Sequence, residues 1–256
     1  SGTMTIQNGT TSNNLTVNGP ISGPGGLTLN TGYFTLNGAN TYGGNSLIRS
    51  ATVTLGPTSP LSSAALSLQT STTIAGGSLI DLGGQSQTVA SLAMTLTSGG
   101  QNQVTNTFRN GSLSVGGGNL VVNSGASTAK SGTTLLNLHD LSAFTYTNTS
   151  GTFYMQTSGS LASGTFASMV NLPAAGPTAV TAAHMLIGNS ANGPASSTSS
   201  VGLGVTNTVN TGTITIGAYR GNGVVSFQPD VTGGSLTLRG VSGGSSRVDN
   251  VYVGYK

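Results

Sequence analysis

The chain has 256 residues, of which 41 are Gly and none is Cys or Trp, and only 4% of its side chains are charged. An ordinary globular domain carries about 25% charged residues; the scarce Glu, Lys and Arg are good helix formers, whereas Thr favours strands and Gly and Asn favour turns. This composition excludes a mainly α-helical protein, a disulfide framework and a thiolate metal site.

The hydrophobic fraction of 35% and the mean hydropathy of +0.09 indicate a chain that folds, because disordered chains combine low hydrophobicity with high net charge. The formal net charge is +3, but the 7 Lys and Arg residues behind it are scattered along the chain. A nucleic-acid-binding surface needs clustered basic residues, so we expect no nucleic-acid partner. Since no apolar run approaches the ~20 residues that span a bilayer, we also expect no membrane contact in this segment.

Short alternations of an apolar residue with Thr, Ser or Asn recur along the chain and predict β-strands. In chain order the clearest ones occupy 27–29, 34–36, 53–55, 66–68, 92–96, 113–115, 214–216 and 236–238. The alternation indicates that one face of each strand is buried and the other is solvated. The sequence therefore predicts an all-β protein.

Many short strands fit a sandwich, a propeller or a solenoid. Sandwiches and propellers usually have longer strands and aromatic core anchors, and this chain has only 7 Tyr and 6 Phe. A solenoid needs only a narrow aliphatic core because each coil covers the next. With ~20–25 residues in each coil, we expect a parallel β-helix of about ten coils that forms a rod ~50 Å long.

Residues 19–56 read GPISGPGGLTLNTGYFTLNGANTYGGNSLIRSATVTLG, with GANTYGG at 38–44 and a closing VTLG at 53–56. This order of submotifs resembles the autotransporter-associated β-strand repeat of bacterial passenger-type proteins. Looser similarity to such proteins occurs at 78–92 and at 212–253. The resemblance implies a right-handed parallel β-helix in an exported protein, either extracellular or at the bacterial cell surface, and it implies no activity.

The stretch 139–200 fits the repeat pattern least well, because it contains several prolines and an Ala-rich run. We interpret it as coils with longer loops, and a short helix within 163–171 or 178–186 fits its composition. Apolar alternation resumes directly afterwards, so we expect residues 1–256 to form one β-helix segment of a longer protein rather than two linked domains. Neighbouring repeats of the parent chain are then its expected partners.

A polysaccharide lyase or hydrolase built on a β-helix would need clustered carboxylates, and the chain offers only Asp81, Asp140, Asp230 and Asp249. No two of them form a close pair in sequence, although stacked coils can bring distant residues onto one face. Asp81 lies between two apolar residues of a predicted strand, so its side chain is expected to point into solvent. We therefore predict no catalytic residue and keep the enzyme as an alternative.

Other signatures of catalysis or metal binding are weak. His139 and Asp140 are adjacent, and adjacent residues of a strand face opposite sides. The G-x-S-x-G string at 240–244 is followed by a polar stretch instead of a helix and by no later His, both of which a nucleophile elbow requires. His184 stands alone in the sequence, and zinc would need three or four convergent ligands. We expect no metal and no cofactor.

Exposed tyrosines are the remaining candidates for ligand contact, because their rings can stack on sugars. The selected residues are Tyr33, Tyr42, Tyr219 and Tyr252, with ordinary packing at coil corners as the alternative for each. The sequence thus predicts a non-catalytic, exported bacterial β-helix that acts as a rigid stalk or an adhesive passenger, with a glycan or a host or cell surface as its external partner. The alternative is a β-helical polysaccharide-degrading enzyme or a carbohydrate-binding module.

Overall fold

The computed structural model of the protein describes residues 2–8, 13–69, 76–95, 103–123, 132–156, 166–190, 197–219 and 221–255. Within these ranges every regular element is a β-strand and none is a helix, so this part of the chain has no helix able to cross a membrane. The strands are β1 (Met4–Gln7), β2 (Asn14–Val17), β3 (Ser22–Gly23), β4 (Leu27–Leu36), β5 (Thr41–Tyr42), β6 (Ser46–Leu55), β7 (Ala65–Gln69), β8 (Leu79–Asp81), β9 (Ser86–Val89), β10 (Ser91–Thr95), β11 (Gln103–Arg109), β12 (Ser112–Gly116), β13 (Leu120–Asn123), β14 (Gly132–Asp140), β15 (Ala143–Gln156), β16 (Phe166–Asn171), β17 (Pro177–Ser190), β18 (Ser197–Leu203), β19 (Thr206–Tyr219), β20 (Gly221–Phe227), β21 (Ser235–Arg239) and β22 (Asn250–Tyr255).

The strands form one long parallel sheet. It contains 20 strands, and β3 and β5 make a separate 2-stranded sheet. The strand pairs are parallel from the first, β1 with β4, to the last, β19 with β22. The all-β prediction and the parallel pairing are confirmed, and the arrangement is compatible with a β-helix or solenoid.

The pairing sorts the strands into three columns of stacked strands. Column one runs from β1 through β4, β6, β7, β10, β13, β15, β17 and β19 to β22. Column two runs from β2 through β4, β6, β8, β11, β14, β16 and β18 to β20. Column three runs from β9 through β12, β15, β17 and β19 to β21. From β7 onward the chain visits columns one, two and three in turn, and long strands such as β19 turn a corner and serve two columns.

The spacing between stacked turns grows along the chain. Hydrogen bonds between neighbouring turns join residues 19 or 20 apart near the N-terminus and residues 28 or 29 apart in the C-terminal half. The predicted ~20–25 residues per turn therefore hold only for the N-terminal part. Longer strands account for the difference, because β4 and β5 have 10 and 2 residues whereas β17 and β18 have 14 and 7.

The core is built from side chains that alternate between the inner and outer faces of each strand. In β15 the side chains of Phe153 and Met155 are fully buried, whereas Thr152 and Tyr154 lie on the outer face. Phe153 also makes an edge-to-face contact with Tyr146, with ring centroids 5.9 Å apart. Buried side chains from all three columns form one continuous cluster, because each inward-facing residue lies between similar residues of the strands next to it.

The corners at which the chain passes from one column to the next favour glycine. Thr31 and Ser50 occupy equivalent corners of β4 and β6 with positive φ values of 51° and 43°, a conformation that costs free energy for residues other than glycine. At the neighbouring corner a Cβ on Gly44 would collide with the backbone nitrogen of Gly26. Stacked backbones therefore approach too closely there for any side chain.

The helix considered within 163–171 or 178–186 is wrong. Residues 166–171 belong to β16 and residues 177–190 to β17, and the start of the first window lies outside the described residues. β17 is paired along both edges, with β15 and β19. Backbone pairing on two sides and burial of Val180 and Ala182 outweigh the helix propensity of alanine, which is only a weak preference.

The last strands leave apolar side chains exposed. Val251 and Val253 continue the inward-facing rows of Ile214 and Ile216, yet they are 55% and 74% exposed. A cavity of about 310 Å³ opens here between the final strands and the core. This end of the stack is an apolar surface without a covering layer among the described residues.

Candidate functional site

The most specific part of the repeat-like segment has a structural role. Asn40, within GANTYGG, is 8% exposed. Its Oδ1 accepts a hydrogen bond from the N–H of Ile21 at 3.0 Å, and its Nδ2 donates to the carbonyl of Pro60 at 3.3 Å. One buried amide thus links three successive turns of the chain, so this motif serves folding.

Tyr42, selected as a candidate for stacking on a ligand, is packed in the core, which is the alternative considered for it. Its side chain is 4% exposed and belongs to the core cluster. The phenol oxygen lies 2.6 Å from the hydroxyl of Ser46, and burial raises the pKa of Tyr42 above its ordinary value. A ring held in the core at a corner has no face to offer a ligand.

The other three selected tyrosines are exposed but do not form one surface. Tyr33 lies on β4 with 43% exposure, Tyr219 at the end of β19 with 57%, and Tyr252 on β22 with 39%. Tyr33 belongs to the N-terminal part of column two, whereas Tyr252 belongs to the last strand of column one. The four residues therefore do not make a common site.

The expected solvated Asp81 is instead a buried ion-pair partner. It is 9% exposed, and its Oδ2 accepts hydrogen bonds of 2.9 Å from both Arg109 Nε and Asn110 Nδ2. Burial alone would raise the pKa of Asp81, but hydrogen bonds from Gly83, Arg109 and Asn110 together lower it. The alternation argument fails because β8 ends at Asp81 and the chain turns a corner there.

The fold gathers ionisable groups along one edge of column two. Asp81, Arg109 and Asp140 occupy matching positions of β8, β11 and β14. Beside them, His139 Nδ1 lies 2.7 Å from Asp140 Oδ1, and His139 Nε2 lies 2.7 Å from Asp230 Oδ2. The expectation that His139 and Asp140 point to opposite sides is wrong, because β14 ends at Asp140 and alternation ends with it.

The His139 cluster, consisting of His139, Asp140 and Asp230, favours a charged imidazole. Hydrogen bonds to Asp140 and then Asp230 raise the pKa of His139, and the bond to His139 lowers the pKa of Asp230. An imidazolium donates from both nitrogens and has no lone pair with which to accept a proton. The side chains of His139, Asp140 and Asp230 are 34%, 58% and 57% exposed, so the cluster lies on open surface.

The remaining sequence signatures form no centre among the described residues. The G-x-S-x-G segment at 240–244 is a pair of tight turns, in which Gly243 N–H donates to Gly240 and Ser246 N–H donates to Gly243. A nucleophile elbow requires a strand-to-helix turn, which is absent at this place. No group of three or more His, Cys, Asp or Glu side chains in the described ranges is arranged to hold a metal ion.

A concave site lies on the outer face of column one. Its volume is about 340 Å³, within the ~300–1,000 Å³ typical of small-molecule pockets. Strand pairing places Thr152 beside His184 and Tyr154 beside Leu186, and Asn119 Oδ1 accepts the N–H of Thr152 at 3.0 Å. The lining residues are Asn119, Thr152, Tyr154, His184, Met185, Leu186 and Thr215. We call this site the outer cavity.

The sequence did not single out the outer cavity. His184 looked isolated, and Tyr154 was not among the selected tyrosines, because their neighbours come from strands about thirty residues away. The available signal was the period-two position of Tyr154 and Leu186 on outward faces. Only the strand register shows that these two positions are adjacent.

Comparisons of the chain with protein families, with curated proteins and with solved structures find no match. The geometry therefore carries the functional argument. It defines an all-β protein with a long parallel sheet, a continuous core, an edge of paired charges and, among the described residues, an outer cavity with a mixed polar and apolar lining.

Proposed function

We propose that the chain is a right-handed parallel β-helix of about ten coils and acts as a rigid stalk or adhesive passenger of an exported bacterial protein, outside the cell or at its surface. Its role is mechanical and non-catalytic, with neighbouring repeats of the parent chain as partners and a glycan or a host or cell surface as the external target. The resemblance of residues 19–56 to the autotransporter-associated repeat supports this proposal.

The observation that carries the proposal is the unbroken stacking of column one. Each strand from β4 to β19 in this column is paired with one strand before it and one after it. Beneath the ladder lies a continuous core. Bending such a stack would break backbone hydrogen bonds and expose apolar side chains, so the stack is expected to be stiff along its length.

The exposed apolar end supports neighbouring repeats as partners. Val251 and Val253 continue rows of residues that are buried in every strand of column one from β4 to β17. A further repeat with the same alternation would continue both rows and pair with the open edge of β22. An uncovered edge of this kind invites association with other chains.

Distances between spin labels test the stack directly, because the chain contains no Cys. Thr5, Ser67 and Tyr252 share one outward row of column one. At ~4.8 Å for each strand, labelled cysteines at 5 and 252 are expected ~43 Å apart, and those at 67 and 252 ~29 Å apart. Narrow distributions at these distances support a rigid stalk, and broad or much shorter ones overturn it.

Surface location needs a test of its own. In bacterial cells that make an epitope-tagged parent protein, external protease should remove this segment while the cells stay intact. A cytoplasmic protein serves as the control for lysis. Protection of the segment until the cells are broken would contradict export to the surface.

The enzyme alternative is favoured by one observation, the convergence of His139, Asp140 and Asp230. A screen for release of reducing ends or unsaturated products from neutral and acidic polysaccharides tests it. We expect no turnover above buffer. Turnover that disappears in His139→Ala while the variant keeps its thermal unfolding midpoint would replace the stalk proposal by a polysaccharide-degrading enzyme.

A further inference from the structure

We propose that the outer cavity binds an uncharged oligosaccharide. The proposal deepens the adhesive role stated above and rests on it, because it names the class of ligand through which the passenger would adhere. The residues involved are placed by strand register, and the proposed binding site extends from Tyr154 on β15 to Tyr252 on β22.

The lining of the outer cavity is partly apolar and partly polar. Tyr154 and Leu186 are neighbours across a strand pair and offer partly exposed apolar surface. Asn119 and His184 are exposed polar side chains on the same cavity wall. A sugar ring has one apolar face of C–H groups and a rim of hydroxyls, so it matches an aromatic surface flanked by hydrogen-bonding groups.

The lining of the outer cavity carries no charged side chain among the described residues. None of the described residues that line the outer cavity is Asp, Glu, Lys or Arg. Anionic ligands such as sulfated sugars or nucleic acids are bound through Arg and Lys, and purely apolar ligands would leave the polar groups of the cavity unpaired. A neutral polyhydroxylated ligand satisfies both conditions.

A second aromatic ring, that of Tyr252, lies on the same outward row as Tyr154. Leu186 pairs with Thr215, and Thr215 pairs with Tyr252, which is 39% exposed. Tyr154 and Tyr252 therefore lie on one outward row, three strand spacings or ~14 Å apart. This separation suits a ligand of several sugar units that runs along the column, rather than a single monosaccharide.

The test uses a printed array of neutral oligosaccharides with sialylated and sulfated glycans on the same slide, followed by calorimetry with the strongest neutral probe. We expect saturable binding to neutral probes that is unchanged between 0.15 and 0.5 M NaCl. Tyr154→Ala and Tyr252→Ala should each weaken it about tenfold or more, since tyrosines that a ligand covers in an interface often dominate its binding energy. His184→Ala, at an exposed position, provides a third variant if Tyr154→Ala fails to fold.

Tyr33→Ala is the matched control, because Tyr33 is about as exposed as Tyr252 but lies on column two. The affinity of this variant for the neutral probe should equal that of the unmodified chain. Binding to no neutral probe, binding only to anionic probes, or equal loss in Tyr33→Ala would each overturn the proposal. Because a label at position 252 replaces Tyr252, the spin-label distances are measured on the labelled variants and glycan binding on the unlabelled chain, and the two results together separate the two failures. If the distances are as expected but no glycan binds, the oligosaccharide proposal is rejected and the rigid-stalk proposal stands.

Discussion

His139 and Asp230 are 91 residues apart in the chain, yet a 2.7 Å hydrogen bond joins His139 Nε2 to Asp230 Oδ2. The bond ties the loop after β20 to the end of β14, although β16 and β18 lie between them in column two. Gln228 holds this loop back across the stack, because its Nε2 donates to the carbonyl of Leu172 at 2.7 Å. Stacking of turns thus produces a contact that strand pairing alone would not make.

Replacing Asp230 should change the titration of His139. The pKa of His139 is raised by Asp140 and Asp230, and Arg109 is in register with Asp140. In Asp230→Asn the pKa of His139 should fall toward 6.5 but stay above it, because Asp140 remains. The measurement is a pH titration of the imidazole C–H resonances, with His184→Gln used to assign the two histidines.

The pair of His139 and Asp230 contributes stability that is lost at high pH and also at low pH. The stabilising effect of the raised His139 pKa is complete below pH 6.5 and is lost as pH rises through the raised pKa. The stabilising effect of the lowered Asp230 pKa is present above pH 3.8 and is lost as pH falls through the lowered pKa. The unfolding midpoints of the native chain and Asp230→Asn should therefore differ most between these limits. An equal change in Asp249→Asn, at an exposed position, would contradict a role specific to Asp230.

Removing the carboxylate of Asp81 should destabilise the fold. Asp81→Ala removes the acceptor of Gly83, Arg109 and Asn110; because Arg109 and Asn110 are exposed and can bond to water instead, the expected cost is about 1 kcal/mol. Because the pKa of Asp81 is lowered in the folded state, the contribution is present above pH 3.8 and is lost as pH falls through the lowered pKa. Denaturant unfolding at pH 7 and at pH 3 measures both effects. Asp249→Ala is the control and should change stability by less than about 0.5 kcal/mol; a similar loss in both variants would rule out the ion pair as the cause.

Asn40 should matter far more than its neighbour Asn37. Asn40→Ala leaves the buried N–H of Ile21 and the carbonyl of Pro60 unpaired, at a cost of about 1–3 kcal/mol. Asn37 donates to Asn18 at an exposed position, so Asn37→Ala should cost less than about 0.5 kcal/mol. Chemical denaturation of the two variants compares them. Equal effects would show that the buried amide does not hold the turns together.

The apolar surface around Val251 and Val253, at the C-terminal end of the stack, should drive self-association at high concentration. Val253 is 74% exposed, and burying such a side chain stabilises an interface by about 1.5 kcal/mol. Val253→Lys should weaken the association about tenfold, as measured by sedimentation velocity over a range of concentrations. Ser67→Lys, on the outer face of β7, should leave it unchanged. If both variants associate like the unmodified chain, the end surface is not the contact.

The local pattern of the sequence predicted the strands where alternation is regular and the strand is long enough to express it. Residues 27–29 and 214–216 lie in β4 and β19 as expected. The prediction of side-chain direction failed at strand ends. At Asp81 and His139 the chain reaches a corner, and side chains no longer alternate between the two faces. Prediction also failed in β17, because pairing on two edges decides the conformation of a segment whose local propensity is weak.

The sequence by itself determined the class of this protein: scarce charge, abundant Gly and Thr, and period-two alternation allow strands and tight corners and leave no helix surface. What only the tertiary structure decided is which residues meet. Asp81 with Arg109, His139 with Asp230, and Tyr154 with Leu186 are brought together by the register between turns. That register depends on connection lengths and core packing summed over the whole stack, and neither quantity can be read from a local window of sequence.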